Sequence, residues 1–258
     1  MYDQLASDYD RFNNWGNRLP VELPFIEKTL KSALLQKDKP IRVLDAACGT
    51  GMHALALAKL GYTVSGADLS APMIEKARTN AVHANVSVRF ESVGFGDLAS
   101  AFGEGAFDGL LCLGNSLPHL LSETELRSAL VDFASCLRPG GVLLIQNRNF
   151  DAVMTSRQRW MDPQTFRDNE YEWVFMRFYD FEPDGTIRFN MVTLKRPLGG
   201  EWLSEAVSTR LAPQLLADLN KALLVSGFTN VWAYGSMTGE PFEPLTSGNL
   251  VLAATRTG

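Results

Sequence analysis

A short apolar run, Ile41-Arg42-Val43-Leu44-Asp45-Ala46-Ala47, stops at Cys48-Gly49-Thr50-Gly51 and passes straight into the helical stretch MHALALAKLG. Apolar β-branched residues at its start and glycines at its end read as strand, tight turn and helix. The unit then recurs. Tyr62 to Asp68 reads as a second strand, and Ser70 caps a helix with Pro72 in its first turn and Met73, Ile74 and Ala77 on its inner face. Val86 to Glu91 reads as a third strand and Phe107 to Leu113 as a fourth. Ser122-Glu123-Thr124-Glu125 is a capping box opening a helix to about Leu137, which Arg138-Pro139-Gly140-Gly141 ends before a fifth strand, Val142 to Gln146. Strands alternating with helices over roughly a hundred residues predict a doubly wound α/β core with a mostly parallel sheet covered on both faces.

Either side of this core, 41–148, the texture changes. Residues 20–36 place apolar side chains at helical spacing, behind an aromatic, polar arm over 1–19. After Arg148, the runs YEWVFMRFYDF, TIRFNMVTLKR and EWLSEAVSTRL are separated by Pro183-Asp184-Gly185 and Leu198-Gly199-Gly200, which predicts an antiparallel β insertion within 152–211. Pro213 opens a helix to about Ser226, and Phe228 to Tyr234 with Asn249 to Thr255 form a hairpin at one sheet edge, so that 212–258 completes the sheet. The expectation is a single domain, 1–258, with the insertion packed on the core as a lid or wall.

Composition excludes other classes. With 46% hydrophobic residues in 258, the chain has the material for a full core, so disorder is excluded. A net charge of −5 gives no general attraction for phosphate backbones or anionic lipid, and neither nucleic acid nor membrane is an expected partner. The opening MYDQLASDYDRF has no apolar targeting segment and no apolar run reaches the roughly 18 residues of a membrane helix, so a cytosolic location is expected. Cys48, Cys112 and Cys136 are odd in number and lie in apolar or glycine-rich segments, as interior thiols do. His53 and His83 have no ligand-spaced partners, and no catalytic metal is expected.

The glycine turn is where chemistry enters. Gly49-Thr50-Gly51 offers bare backbone at a helix N-terminus, and Asp68, ending the second strand, can accept both hydroxyls of a ribose. Gly49-x-Gly51-x-x-Ala54 satisfies the loose dinucleotide fingerprint, which keeps a nicotinamide-dependent oxidoreductase open. Asp45 argues against it: a pyrophosphate has little use for a carboxylate so close, whereas a ligand with an ammonium and a sulfonium does. S-adenosylmethionine is such a ligand.

VLDAACGTG followed by GADLS resembles the nucleotide-binding half of class I S-adenosylmethionine-dependent methyltransferases, and the expected strands and C-terminal hairpin fit that family's seven-stranded sheet. CLGNSLPHL at 112–120, RPGG at 138–141, NRNFD at 147–151 and NMVTL at 190–194 resemble the glycine/sarcosine N-methyltransferase branch. The resemblance implies roles. Asp45, Ala47, Gly49 and Gly51 would hold the methionine end of the cofactor, although Asp45 as a cap on the turn's amides is the plainer reading. Asp68 would take the ribose; Leu69 and Met73 would flank the adenine, unless they are core. Leu113 would meet the methionine amino group through its backbone, Asn115 would sit near cofactor and substrate amine, and His119 would lie against the cofactor rather than bond a carbonyl in the core. Tyr9, Trp15 and Arg18 would cover the cofactor, Arg18 meeting its carboxylate, or else the aromatics only pack the arm on the sheet. Arg148 matches the arginine holding an amino-acid carboxylate, a bidentate task its planar fork suits, against the alternative of an ion pair at the strand end.

The chain also departs from the branch. Val93-Gly94-Phe95-Gly96-Asp97 replaces its Asn-Trp pair, so Phe95 stacking on adenine and Asp97 meeting the exocyclic amine follow only the wider methyltransferase pattern. In the insertion, Tyr171, Trp173, Tyr179 and Arg210 are candidate wall residues. The function expected is methyl transfer by in-line displacement to a small carboxylate-bearing amine. An O- or C-methyltransferase of another metabolite and a cofactor-binding protein without catalysis are the alternatives.

Overall fold

The apolar runs that announced strands in the sequence are buried on both faces, and they pair as the centre of one sheet. In a computed structural model, the described residues are 9–32 and 40–258. Parallel strands β1 (Arg42–Asp45), β2 (Thr63–Asp68), β3 (Arg89–Ser92), β4 (Phe107–Cys112) and β5 (Leu137–Arg148) are joined by β11 (Asn249–Arg256), antiparallel to β5, and β10 (Phe228–Tyr234), antiparallel to β11. The order is β10-β11-β5-β4-β1-β2-β3, the expected seven-stranded α/β sheet with its edge hairpin. The chain reverses direction across the sheet between β1 and β4, and ligands of such sheets bind in the crevice outside the carboxyl ends of those strands.

Helices α1 (Tyr9–Asn13), α2 (Trp15–Ser32), α3 (Met52–Lys59) and α4 (Ala71–Ala84) precede β3, and α5 (Leu98–Phe102), α6 (Glu123–Cys136), α7 (Phe150–Ser156) and α8 (Leu216–Val225) follow it. Ile26 and Leu30 of α2, Leu55 and Leu57 of α3, and Ile74 and Ala77 of α4 pack one face of the sheet. Leu130 and Phe133 of α6 with Leu219 and Leu223 of α8 pack the other. Residues 1–8 of the expected arm and 33–36 of the expected helix lie outside the described residues. Cys48, Cys112 and Cys136 are buried and free. Among the described residues no helix is long and apolar enough to cross a membrane.

Three boundaries move for visible reasons. β3 starts at Arg89 rather than Val86 because Asn85 ends α4 in the left-handed region (φ 53°) and the Val86 amide still bonds back to Ala81. The Arg-Pro-Gly-Gly segment belongs to β5 itself: Gly140 takes φ 74° and the β4–β5 register shifts between Phe107 and Gly109, so the glycines shape a bulge. α8 starts at Leu216 instead of Pro213, because the Asp151 carboxylate caps it by accepting the Leu216 N–H at 3.0 Å.

The insertion is antiparallel as expected, with β7 (Tyr171–Phe181), β8 (Ile187–Pro197) and β9 (Leu203–Leu211) in order and a fourth, exposed strand, β6 (Gln164–Arg167), at its edge. Phe150 and Val153 of α7 pack with Tyr179, Ile187 and Leu211 as a small core of their own. The sheet thereby stands beside the crevice at the end of β5.

Candidate active site

The glycine turn is built around two carboxylates. Asp45 ends β1 with 1% exposure. Its Oδ2 has no hydrogen-bond partner among the described residues. Burial pushes its pKa up to about 6, against the lowering influence of His53, with the charge of Asp68 adding to the rise. Asp68, at the end of β2, accepts the Gly49 N–H through Oδ2 and the Ser70 N–H through Oδ1, both at 2.9 Å. Ser70 itself caps α4 by accepting the Met73 N–H at 3.4 Å. Gly51 lies at φ +82°, and a Cβ there would stand 2.8 Å from Phe90 and 3.0 Å from Ala77, so only glycine lets the turn close on α4. Cofactor candidates Ala47, Gly49 and Gly51 are thus grouped with both carboxylates.

The arm folds over this turn. Tyr9, half-buried, lies against Gly49, 3.4 Å from the position of an added Cβ. The Thr50 hydroxyl donates to Asp10 at 2.5 Å, and the Trp15 indole N–H donates to the same carboxylate at 2.9 Å. Trp15 also meets His53 edge-on, with ring centres 5.2 Å apart. Arg18 pairs with Glu22 at 2.7 Å, and Glu22 holds His53 at 2.6 Å. Burial opposes the Glu22 charge, yet those two partners keep its pKa below the ordinary value. On its other flank the arm meets the insertion through Phe12 and Phe175, 5.5 Å apart edge-on, and through Arg11 stacked over Trp173 at 4.6 Å.

Arm, sheet ends and insertion enclose a cavity of about 370 Å³. Tyr9, Arg18, Asn115, His119 and Arg148 all line it, so five sequence-chosen residues from three separate segments converge there, joined by Tyr179 of the insertion. Gly114 and Asn115 take left-handed conformations (φ 76° and 68°) after β4. The turn is pinned to β5: Gly114 N–H donates to Gln146 Oε1 at 2.8 Å, Asn115 N–H to the Gln146 carbonyl at 3.0 Å, and Asn115 Oδ1 accepts the Arg148 N–H at 2.8 Å. Leu113 is buried, and its carbonyl accepts the Ser116 hydroxyl at 2.9 Å. Burial pushes His119 down to about 4, so its ring is neutral at neutral pH.

Asn149 caps α7 through Ala152 and donates to the carbonyls of Pro244 and Ser247, while Asp151 caps α8. The Asn-Arg-Asn-Phe-Asp motif is therefore a scaffold that leaves Arg148 facing the cavity, and among the described residues no ion pair engages its guanidinium. Other candidates fall elsewhere. Leu69 is 80% exposed and leans on Gly94 beside Asp68, whereas Met73, at 1%, is core. Phe95 lies edge-on to Phe133, 5.1 Å between ring centres, and Asp97 is exposed at the start of α5. The loop between them is held by Asp132, which accepts the amides of Gly96, Leu98 and Ala99. Of the insertion candidates Tyr179 lines the cavity, Trp173 is buried beside Tyr171, and Arg210 is exposed and pairs with Asp184 of the β7–β8 turn. Sequence reasoning missed Gln146, Phe175 and Arg177; the last two share a face with Tyr179 at alternate positions of β7, a period-two signal that was available.

A methyltransferase-domain family model matches residues 43–141. A glycine/sarcosine N-methyltransferase of Aphanothece halophytica is 33% identical over 74% of this chain and 73% of its own length. The chain belongs to the S-adenosylmethionine-dependent methyltransferase family. Another such relative, from Halorhodospira halochloris, is 36% identical, and there the match spans about half of the relative's length, 54%. A solved methyltransferase structure from Clostridium acetobutylicum shares the fold over 100% of this chain and 99% of its own, with a TM-score of 0.79 at 18% identity. The methyltransferase's residues fit the family's cofactor: the buried Asp45 oxygen without a partner among the described residues, beside the glycine turn that the arm covers, suits a cation, and S-adenosylmethionine carries two. The nicotinamide alternative has no counterpart among these relatives.

Proposed function

We propose that the protein transfers a methyl group to the amine of a small amino acid, with Arg148 holding the acceptor's carboxylate. The observation that carries this reading is a cavity-facing guanidinium with no ion pair among the described residues, at the carboxyl end of β5, next to the Asn115 turn. When bound, S-adenosylmethionine supplies a methyl group already made electrophilic by its sulfonium. Asp45 and the Gly49–Gly51 turn hold the methionine end, Asp68 the ribose, and the Leu113–Asn115 turn the junction with the acceptor. The amine, placed by Arg148 and the Asn115 turn, would receive that methyl group in its neutral form and afterwards lose one proton. What the protein must do is align the two partners and exclude water.

The attacking amine has to be neutral, and the electrostatics favour that form. Arg148 and Arg177 both border the cavity, and nearby positive charge lowers the pKa of an ammonium. His119, neutral through burial, adds no charge of its own. Solvent can then take the proton without a dedicated base. The reading also places the reaction in the cytoplasm.

The test starts with calorimetric titration of S-adenosylhomocysteine, S-adenosylmethionine and NADH, followed by S-adenosylhomocysteine release with glycine, sarcosine and dimethylglycine. Turnover with one of these amines, lost in Arg148→Ala while S-adenosylhomocysteine still binds, supports the reading. Cofactor binding with no turnover on any amino acid would reject the acceptor class.

A further inference from the structure

The reading above gives a ligand to Arg148 alone, but a second arginine without an ion pair among the described residues, Arg177, lines the same cavity. Arg177 sits mid-β7, opposite Met191 and between Phe175 and Tyr179 on the same face of the strand. Its guanidinium stacks over Phe12 at 4.9 Å and donates one N–H to the Asp162 carbonyl at 3.4 Å, while its Nε is buried without a partner. The acid that reaches it electrostatically is Asp162, whose side chain is exposed and does not line the cavity. Glu22 does line the cavity, but it is committed to Arg18 and His53. Among the described residues, then, Arg148 and Arg177 line one cavity, and neither makes an ion pair there. Burial, and next the charge of Arg148, lower the basicity of Arg177, as two like charges sharing an enclosed space require.

Uncompensated charge in such a space is costly, and a ligand of matching charge relieves it. A single acceptor carboxylate on Arg148 leaves Arg177 unmatched. We propose that Arg177 recognises a second anionic group on the acceptor, making the preferred substrate an amine with two acidic groups, of which dicarboxylic amino acids are the simplest class. This rests on the assignment of Arg148 to the first carboxylate. The apolar wall of Phe175, Phe189 and Met191 suits the methylene carbons that join two such groups.

The experiment measures S-adenosylhomocysteine release at saturating S-adenosylmethionine with glycine, sarcosine, aspartate and glutamate, for the unaltered protein and for Arg177→Gln, Arg177→Lys and Arg148→Gln. The expected result is a kcat/KM for the better dicarboxylic acceptor at least about tenfold above glycine, a ratio that collapses by about tenfold or more in Arg177→Gln and recovers in part in Arg177→Lys. Arg148→Gln lowers kcat/KM for both classes and leaves the ratio standing. S-adenosylhomocysteine binding, measured by calorimetry, confirms that each variant is folded. Glycine or sarcosine preferred by the unaltered protein, or a ratio unmoved in Arg177→Gln because both arginines share one carboxylate, would overturn the proposal while leaving the function above intact. Release with no amino acid at all would overturn both.

Discussion

Replacing Asp45 by asparagine should stabilise the ligand-free protein as pH rises and weaken its hold on S-adenosylmethionine. The carboxyl is 1% exposed, one of its oxygens lacks a partner, and burial lifts its pKa from 3.8 to about 6. A carboxyl whose pKa is raised by folding stabilises the fold fully below the unfolded value, and that contribution is lost as pH climbs through the folded value. The window therefore runs from about pH 4 to about pH 6, with a plateau above. Its depth follows from the gap between 3.8 and about 6, which corresponds to about 3 kcal/mol. Asparagine cannot titrate, so the variant gains about that much on the natural protein between pH 4 and pH 7, or about 6–12 °C in melting temperature for a chain of this size. Any fixed cost of burying the amide is the same at every pH and drops out. Ligand binding moves the opposite way: without the carboxylate, affinity for S-adenosylmethionine falls by about 10- to 100-fold, the usual value of a hydrogen bond to a charged group. The assay is thermal unfolding of both proteins without ligand from pH 4.5 to 8.5, with calorimetric titration at pH 8. A melting-temperature difference that is flat across that range would refute the electrostatic argument, and equal affinities would refute the role in binding.

Three further outcomes are expected. Asn115→Ala should destabilise more than Asn115→Gly, by about 1 kcal/mol, since φ 68° suits glycine and not alanine, while both lose the bond to the Arg148 amide; urea denaturation separates them. Gly51→Ala should cost about 1–3 kcal/mol through its contacts with Phe90 and Ala77 and abolish S-adenosylhomocysteine binding, read by chemical denaturation and calorimetry; a fully stable, fully binding variant contradicts the turn geometry. Asp132→Ala strands one buried and two partly buried amides and should cost about 2 kcal/mol, with hydrogen exchange accelerated at Gly96, Leu98 and Ala99 ahead of the rest of the chain.

The core was legible because parallel strands buried on both faces read as unbroken apolar runs, and because Ser70 and the Ser122–Glu125 box announce their helices through local chemistry. β6 left no such mark: all four of its residues are exposed, and it exists only by pairing with β7. α7 was hidden for a different reason. Its cap, Asn149, lies inside a motif whose importance was read as chemical, although Asn149 and Asp151 act as caps and ties that aim Arg148. Asp68 and the glycine turn could be placed from spacing alone, since they lie one βα unit apart. The alternation of Phe175, Arg177 and Tyr179 could be read as one face of a strand, but not that this face meets the crevice, because only the register of β7 against β8 and the contact of Phe12 with Phe175 bring it there.

Helix α1 spans five residues, yet within it Tyr9 covers Gly49, Asp10 holds Thr50 and Phe12 meets Phe175. One latch therefore bars two doors. A nucleoside leaving from under this helix would have to part the Asp10–Thr50 bond, and parting the Phe12–Phe175 contact as well would open the acceptor side. With methyl transfer as proposed, opening of these contacts is expected to pace turnover; a pre-steady-state burst of methylated product followed by a slower linear phase is the result expected, and its absence would refute the latch.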